Sequence, residues 1–288
     1  MVIFSGCHSL TSGAKRDDFD PINASKKGVN AGNSARQTDP AKCILEVRLI
    51  SIDASRWNQR AATELWRSVD ETVIDAEVRS TWNRNGFRVG QIQSQEEVQT
   101  DFEMLTEHQN ILDDFFADAG VDATQLSNRK PIIMDNGRRY EHPVGPPRPG
   151  SDVYLFRKNI GPPEARTLSG GQCLFAFRAD GDLDSGTVRL RIAPEIQYGR
   201  VKQHVTPSDT GMRIDHRRQS WPLSGMAINW TAGLGQSLLI TPEAPTTETS
   251  IPLEESVQLV DRMLGRVDAQ RRSSWWAMLI KVRQVPQQ

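Results

Sequence analysis

The sequence lacks any hydrophobic run long enough to cross a lipid bilayer. A transmembrane helix needs about 20 consecutive apolar residues, whereas the longest apolar stretches, such as Ser237-Leu238-Leu239-Ile240, are only as long as a β-strand. Hydrophobic residues make up 37% of the chain and charged residues 25%, which is the composition of an ordinary globular protein. With 288 residues, we expect one large domain or two smaller ones, each with its own core.

The chain also lacks an excess of either charge. It contains 35 Lys and Arg residues against 36 Asp and Glu residues, which gives a net charge of −1. Nucleic-acid-binding domains usually carry a basic surplus, and the basic segment Arg200–Arg218 is diluted by Asp209 and Asp215. We therefore expect no nucleic-acid partner.

Cysteine and histidine are too few and too scattered to predict a metal centre. The three cysteines have neither a zinc-ligand spacing nor the even number of a disulfide framework, and whether Cys43 pairs with Cys173 stays open. The five histidines show no His-x-x-x-His or His-Glu-x-x-His spacing: His8, His108, His142, His204 and His216. Asp180–Gly186 resembles a calcium loop, but the positions for glycine and glutamate hold Ser185 and Arg191. No metal or cofactor is expected.

Sequence motifs for catalysis are missing as well. Leu168-Ser169-Gly170-Gly171-Gln172 spells the signature peptide of ABC-type ATPases, but no Gly-x-x-x-x-Gly-Lys-Ser/Thr loop precedes it, so we predict a glycine turn. No Gly-x-Ser-x-Gly elbow occurs, and Cys173 lies in an apolar strand pattern typical of a core residue. The sequence therefore predicts a protein that is not an enzyme. The alternative is a hydrolase-like enzyme whose site is assembled from remote residues.

The first residues resemble the start of a bacterial lipoprotein. Phe4-Ser5-Gly6-Cys7 is similar to a lipobox with Phe in place of the usual Leu, and Cys7 would receive the lipid. Residues 1–41 as a whole predict a disordered tether, because residues 8–41 are polar and nearly free of large apolar side chains. A signal peptide needs an apolar region of about 7–15 residues, so we expect the true start to lie upstream. The alternative is a plain disordered tail.

Residues 42–142 are predicted to form an α/β domain. Alternating apolar residues over Ile44–Ile52 and Phe87–Ile92 predict two strands of one sheet. A pair of helices, beginning after Asp53 and ending at Asn85-Gly86, would join them as a β-α-β unit.

An acidic helix is predicted to follow this unit. Ser94 and Glu97 form a capping box, and the helical pattern runs to about Ala119. No Lys or Arg occurs between Arg88 and Arg129, whereas nine carboxylates do: Glu96, Glu97, Asp101, Glu103, Glu107, Asp113, Asp114, Asp118 and Asp122. This pattern predicts a solvated helix face or, alternatively, a docking face for a basic partner or a divalent ion.

Residues 151–288 are predicted to form a mainly β domain. Asn136-Gly137 predicts a hairpin, and Pro143–Gly150 is a stiff Pro/Gly segment that we interpret as the domain boundary. Strand patterns then recur about every ten residues up to Thr241, which predicts an antiparallel sandwich or a partly open barrel. Trp275–Val282 reads as a buried closing strand. The predicted fold class is therefore α+β.

Two stretches of this second half resemble bacterial secretins, the ring proteins of type II and III secretion. Arg189–Ile196, with its strand that ends in Pro-Glu, and Leu234–Ile240, with its Gly-Gln strand, are similar to the β-domain pattern of that family. The resemblance covers about 50 residues and implies a relative of the periplasmic part rather than a pore. Together with Cys7, it predicts a periplasm-facing lipoprotein of the cell envelope that binds a protein partner and touches the membrane only through its lipid. A cytoplasmic location is the alternative.

Replacing Cys7 by Ser tests the predicted anchor. In a gene that includes the upstream start, we expect Cys7→Ser to move the protein from the membrane fraction to the aqueous fraction, because acyl chains contribute about 0.8 kcal/mol per buried methylene. Fractionation and mass spectrometry of the mature N-terminus provide the measurement. An unmodified Met1 on a cytosolic product would contradict both the anchor and the envelope location.

Overall fold

The computed structural model describes residues 42–106, 129–147, 151–156, 164–182, 185–208, 211–223, 225–245, 257–267 and 273–285. Within them the chain forms fifteen strands: β1 (Lys42–Asp53), β2 (Val69–Asp70), β3 (Phe87–Ile92), β4 (Arg129–Asp135), β5 (Arg139–Pro143), β6 (Ser151–Leu155), β7 (Glu164–Leu168), β8 (Gln172–Asp182), β9 (Thr187–Ser208), β10 (Gly211–Pro222), β11 (Ile228–Gly233), β12 (Ser237–Pro242), β13 (Val257–Gln258), β14 (Gly265–Val267) and β15 (Ser273–Gln284). The helices are α1 (Gln59–Trp66), α2 (Ala76–Arg84), α3 (Gln95–Leu105) and α4 (Leu259–Met263).

The strands form three sheets. The first sheet has seven strands in the order β2-β3-β12-β15-β1-β4, with β14 also paired to β15. The second has five strands, in the order β10-β9-β8-β5 with β11 also paired to β9, and the third is β13-β6-β7. Every pairing is antiparallel except that of β13 with β6. The predicted α+β class with mainly antiparallel sheets is confirmed, and the sheets do not close into a barrel.

Alternating residues divide the apolar side chains of the first sheet between two cores. Leu238 and Ile240 of β12 belong to the larger core, which also contains Phe175 and Ile192 of the second sheet. Leu239, between them in sequence, belongs to a smaller core on the opposite face of the first sheet. This division follows from the period of two along a strand, and it places the larger core between the two sheets.

Helices α1 and α3 cover the outer face of the first sheet. Leu65 of α1 and Phe102 of α3 pack in the smaller core with Ile52 of β1. Helix α1 begins after Asn58, whose side-chain oxygen accepts a hydrogen bond from the Ala61 amide, so the predicted start after Asp53 is wrong. Asp53 instead ends β1 in a turn, accepting the Ser55 amide at 2.8 Å.

The predicted start of helix α3 is confirmed, whereas its predicted length is not. Ser94 caps the helix by accepting the Glu97 amide at 3.4 Å. The helix ends at Leu105, where Thr106 leaves the helical conformation and its hydroxyl donates to the Phe102 carbonyl at 2.8 Å. The predicted continuous helix to Ala119 is therefore interrupted, and residues 107–128 lie outside the described part of the chain.

The predicted hairpin at Asn136-Gly137 is wrong, because this turn carries the chain from one sheet to the other. Strand β4 pairs with β1 in the first sheet, whereas β5 pairs with β8 in the second. The Gly137 amide donates to the Ala179 carbonyl and the Gly181 amide donates to Asn136 Oδ1, each at 2.7 Å. Asn136-Gly137 does form a tight turn, with φ of 71° at Gly137. The turn is stabilised by these hydrogen bonds to β8 rather than by pairing between β4 and β5.

The predicted boundary at Pro143–Gly150 does not separate two compact units. Residues Thr38–Gln288 form one unit, and in the first sheet β12 and β15 lie between β3 and β1. The β-α-β prediction is correct that β1 and β3 share a sheet. They are not neighbours, however, and the intervening antiparallel pairings make them run antiparallel to each other.

Splitting the chain tests this shared sheet. We expect fragments 1–147 and 148–288 to be unfolded when expressed separately and to co-purify as a folded 1:1 complex when expressed together. The physical reason is that the first fragment leaves β1 and β3 without the strands that join them. Circular dichroism and size-exclusion chromatography provide the measurement; two fragments that each fold as monomers would restore the two-domain prediction.

Candidate functional site

The outer face of the second sheet carries a buried glutamate. Along β9, Ile192 and Ile196 face the larger core, so Glu195 lies on the opposite face, and it is nonetheless buried. On the neighbouring strand β8, Ala176 lies opposite Ala193 of β9 in the register. These two small side chains leave room for a longer side chain from β5 to cross the sheet surface.

Arg139 of β5 makes that crossing. Its Nη1 and Nη2 donate to the two carboxylate oxygens of Glu195, each at 2.8 Å, in the bidentate geometry that gives the strongest ion pairs. Nη2 also donates to Glu141 Oε1 at 3.1 Å. The Ser220 hydroxyl of β10 donates to Glu195 Oε2 at 2.6 Å, and Gln197 donates to Glu141 Oε2 at 2.6 Å. We call these five residues the Glu195 network.

The network keeps Glu195 ionised. Burial alone would raise the pKa of its carboxyl, but the hydrogen bonds from Arg139 and Ser220, together with the Arg139 charge, hold the pKa below its usual range. The hydrogen bond to Glu195 in turn raises the pKa of Arg139. A carboxylate with a lowered pKa is a weak base, so Glu195 is poorly suited to take a proton from the Ser220 hydroxyl.

Beyond the Glu195 network, β9 and β10 leave the sheet as a two-stranded ribbon. Strand β8 pairs with β9 only as far as Gln197, whereas β9 continues to Ser208 and pairs there with β10 alone among the described residues. We define the ribbon as residues 198–208 and 211–218. A β-bulge lies at its base, where the pairing of Lys202 with Arg217 is followed by that of Tyr198 with Gln219.

The base of the ribbon is hydrogen-bonded to the turn between β7 and β8. The Gly199 amide donates to the Ser169 carbonyl at 3.0 Å. Arg218 donates through Nε to the Gly199 carbonyl at 3.0 Å and through Nη2 to the Gly170 carbonyl. Ser169 and Gly170 belong to the segment that spells the ATPase signature. The prediction of a glycine turn there is confirmed, and the turn fixes the direction of the ribbon.

Large side chains on the ribbon are open to solvent. Val201 is 60% exposed and Met212 is 72% exposed, whereas most apolar residues of the described strands are buried. Arg200, Lys202 and Arg217 are exposed as well. A concavity of about 510 Å³ forms where the ribbon meets the Glu195 network, and Val201, Arg217 and Arg218 contribute to its wall.

The residues singled out from the sequence do not meet at this concavity. Cys7 lies outside the described residues. Cys43 and Cys173 are both buried in the larger core and are not joined by a disulfide, and burial raises the pKa of Cys43 to about 12, which disfavours its thiolate. His142 is buried beside Phe177, with the ring centres 6.3 Å apart.

In the part of the chain that the structure describes, no three His, Cys, Asp or Glu residues are grouped closely enough to hold a metal ion. The helices of the same residues include none with the length and apolar character needed to cross a membrane.

Comparisons with family models, with curated proteins and with solved structures found no match. The two stretches that resemble secretins belong to different sheets, since Arg189–Ile196 lies in β9 and Leu234–Ile240 leads into β12.

The Glu195 network was not predicted from the sequence. Glu195 was named there only as the last residue but one of the stretch Arg189–Ile196 that resembles secretins. Glu195 occupies an ordinary polar position in the alternation of β9, and Arg139 lies in another strand, so no signal of their contact was present in the sequence.

Removing the partners of Glu195 should destabilise the protein measurably. We expect Arg139→Met to lower the free energy of unfolding by about 3 kcal/mol, because it leaves a buried carboxylate without its cation. Removing one partner of a buried ion pair costs about 3–5 kcal/mol. We expect a value at the lower end of that range because Arg139 is half exposed, so that water can hydrate the Glu195 carboxylate in its place. Arg138→Met, one residue away at a well-exposed ion pair, is the control and should cost at most about 1 kcal/mol.

The same network predicts a pH dependence. Since the folded-state pKa of Glu195 is lowered, its contribution is complete above the unfolded pKa of glutamate and is lost as the pH falls through the folded pKa. Urea unfolding between about pH 7 and pH 3 should therefore show a steeper loss of stability for the natural protein than for Glu195→Gln. Parallel curves for the two proteins would contradict the assignment.

Proposed function

We propose that this chain is a non-catalytic protein of the cell envelope that binds another protein through the ribbon. In this proposal a lipid on Cys7 attaches it to the membrane, and residues 8–41 connect the lipid to the folded body. The observation that carries the proposal is the pair of exposed apolar side chains, Val201 and Met212, on a ribbon whose base is fixed by hydrogen bonds.

A ribbon without a partner is weakly stable and leaves apolar side chains and a strand edge open for another protein. A two-stranded hairpin is marginally stable by itself in water, and its exposed Val and Met side chains gain nothing from folding. Burying each of them against a partner would contribute about 1.5–3 kcal/mol. In addition, the outer edge of β10 pairs with no other described strand, and an unpaired edge can accept a strand from a partner.

The rigidity of the base supports the same function. Arg218, Gly199 and Ser169 hold the first residues of the ribbon to the second sheet, so the ribbon emerges in a defined direction. A surface that is already ordered loses less conformational entropy on binding than a flexible loop does. The type of partner that the secretin resemblance implies, another component of the envelope, is part of this proposal.

An enzyme is the second candidate, and the concavity is the observation that favours it. Three strands bring Arg139, Glu195 and Ser220 together there from remote sequence positions. The electrostatics favour the first candidate, however, because the lowered pKa of Glu195 weakens it as a base for Ser220. An activity that disappears in Ser220→Ala, with the fold intact, would establish the enzyme instead.

Site-specific photo-crosslinking in the native host tests the binding function. A photoreactive amino acid at position 201 or 212 should give a discrete adduct with one envelope protein, because the proposed partner covers these two side chains. The matched control is position 231, an exposed threonine of β11 away from the ribbon, which should give none. Equal labelling at all three positions, or none at 201 and 212, would contradict the proposal.

A charged substitution provides the quantitative form of the same test. Met212→Asp should weaken binding of the crosslinked partner at least about tenfold, since one buried apolar side chain is worth more than the 1.4 kcal/mol of a tenfold change. The stability of the free protein should stay within about 0.5 kcal/mol, because Met212 is exposed.

A further inference from the structure

The ribbon carries a concentration of positive charge. Residues 198–218 contain five Lys and Arg residues and two Asp residues. Among those whose side chains are described, Arg200 and Lys202 are exposed on β9, and Arg217 lies directly opposite Lys202 on β10.

Helix α3 carries a concentration of negative charge. Glu96, Glu97, Asp101 and Glu103 lie within its eleven residues, which contain no Lys or Arg. Burial raises the pKa of Asp101, and the neighbouring carboxylates Glu64 and Glu97 raise it further, while Arg67 compensates only in part. Asp101 therefore lies close to two other carboxylates on this surface.

The two charged surfaces belong to opposite sides of the layered body. Helix α3 packs through Val98, Phe102 and Leu105 on the outer face of the first sheet. The ribbon continues strands of the second sheet, which packs against the other face of the first. Packed sheets are about 10 Å apart, and charges at that separation are already largely screened at physiological ionic strength. They do not neutralise each other within one molecule.

We propose that the ribbon of one copy of this chain docks on the α3 surface of a second copy. This inference rests on the proposed function of the ribbon and names one occupant for it. Arg200 and Lys202 would face Glu96 and Glu103, which lie two helical turns apart on the exposed side of α3. The contact is head-to-tail, because the surface that donates positive charge differs from the surface that accepts it.

Charge complementarity selects a second copy over an unrelated partner. The whole chain has a net charge of −1, although it carries one basic and one strongly acidic surface. An acidic surface that complements the exposed Arg200 and Lys202 is therefore present on every copy, at the same concentration as the ribbon itself. An association of this kind depends on salt, and it should weaken as the Debye length falls from about 10 Å at 0.1 M to about 3 Å at 1 M.

A charge-swap experiment on the full chain tests the inference. The ribbon variant is Arg200→Glu with Lys202→Glu, the helix variant is Glu96→Lys with Glu103→Lys, and the third protein combines all four changes. Sedimentation velocity at about 0.1 M salt should show self-association of the natural protein. We expect at least tenfold weaker association in either variant alone and recovery in the combined protein. Arg189→Glu with Arg191→Glu, the same change elsewhere on β9, should leave association as it was.

The outcomes separate this inference from the proposed function. A natural protein that stays monomeric at low salt, or a combined variant that is folded and does not recover, overturns docking on a second copy. Crosslinks from positions 201 and 212 to a different envelope protein would keep the ribbon as a binding surface in that case. Crosslinks of twice the chain mass that disappear in the ribbon variant and return in the combined protein support the inference.

Discussion

The antiparallel pairing of β1 with β15 joins the first described strand of the chain to the last one, and the core shared with the second sheet is built on one face of these strands. Ten residue pairs run from Ile44 opposite Gln284 to Asp53 opposite Ser274. Because β1 also pairs with β4, and β15 with β12, neither of these two strands lies at an edge of the first sheet. Their residues contribute to the larger core on one face and to the smaller core on the other. A contact between strands more than 200 residues apart is slow to form, because the chain must first close a very long loop.

Local patterns predicted most of the elements and few of their pairings. The strand Phe87–Ile92 and the caps at Ser94 and Asn85-Gly86 were predicted correctly, because they depend on alternation and on nearby hydrogen bonds. Asn136-Gly137 was predicted to be the turn of a hairpin, and the structure has a tight turn there but no hairpin. Its flanking strands pair elsewhere because Ile132 and Met134 complete the face of β1 in the larger core. A turn motif determines the chain direction over four residues and contains no information on which sheet each strand enters.

The candidate site shows the same limit. Glu195, Arg139 and Ser220 are far apart in sequence, and each is unremarkable in its own strand, so only the register of β5, β8, β9 and β10 brings them together. The length of the ribbon was also missed. The sequence predicted only short strands that recur about every ten residues, because Pro194, Gly199 and mixed polar residues interrupt the alternation along β9. The structure continues β9 through Gly199 by a bulge, which the hydrogen bonds of Arg218 and Ser169 hold.

Under the proposal that a lipid on Cys7 attaches the protein to the membrane, the internal position of β1 in the first sheet has a mechanical consequence. Any tension transmitted through the residues before Lys42 acts on a strand that is bonded along both edges from its beginning, with Asp135 opposite Lys42 and Gln284 opposite Ile44. Such a strand cannot be peeled from one side, so the two ladders of hydrogen bonds share the load. The Gln284 side chain, which donates to the Lys42 carbonyl at 3.2 Å, adds a further bond at the point where the force enters. A body of this design resists extraction by pulling better than one whose first strand lies at a sheet edge.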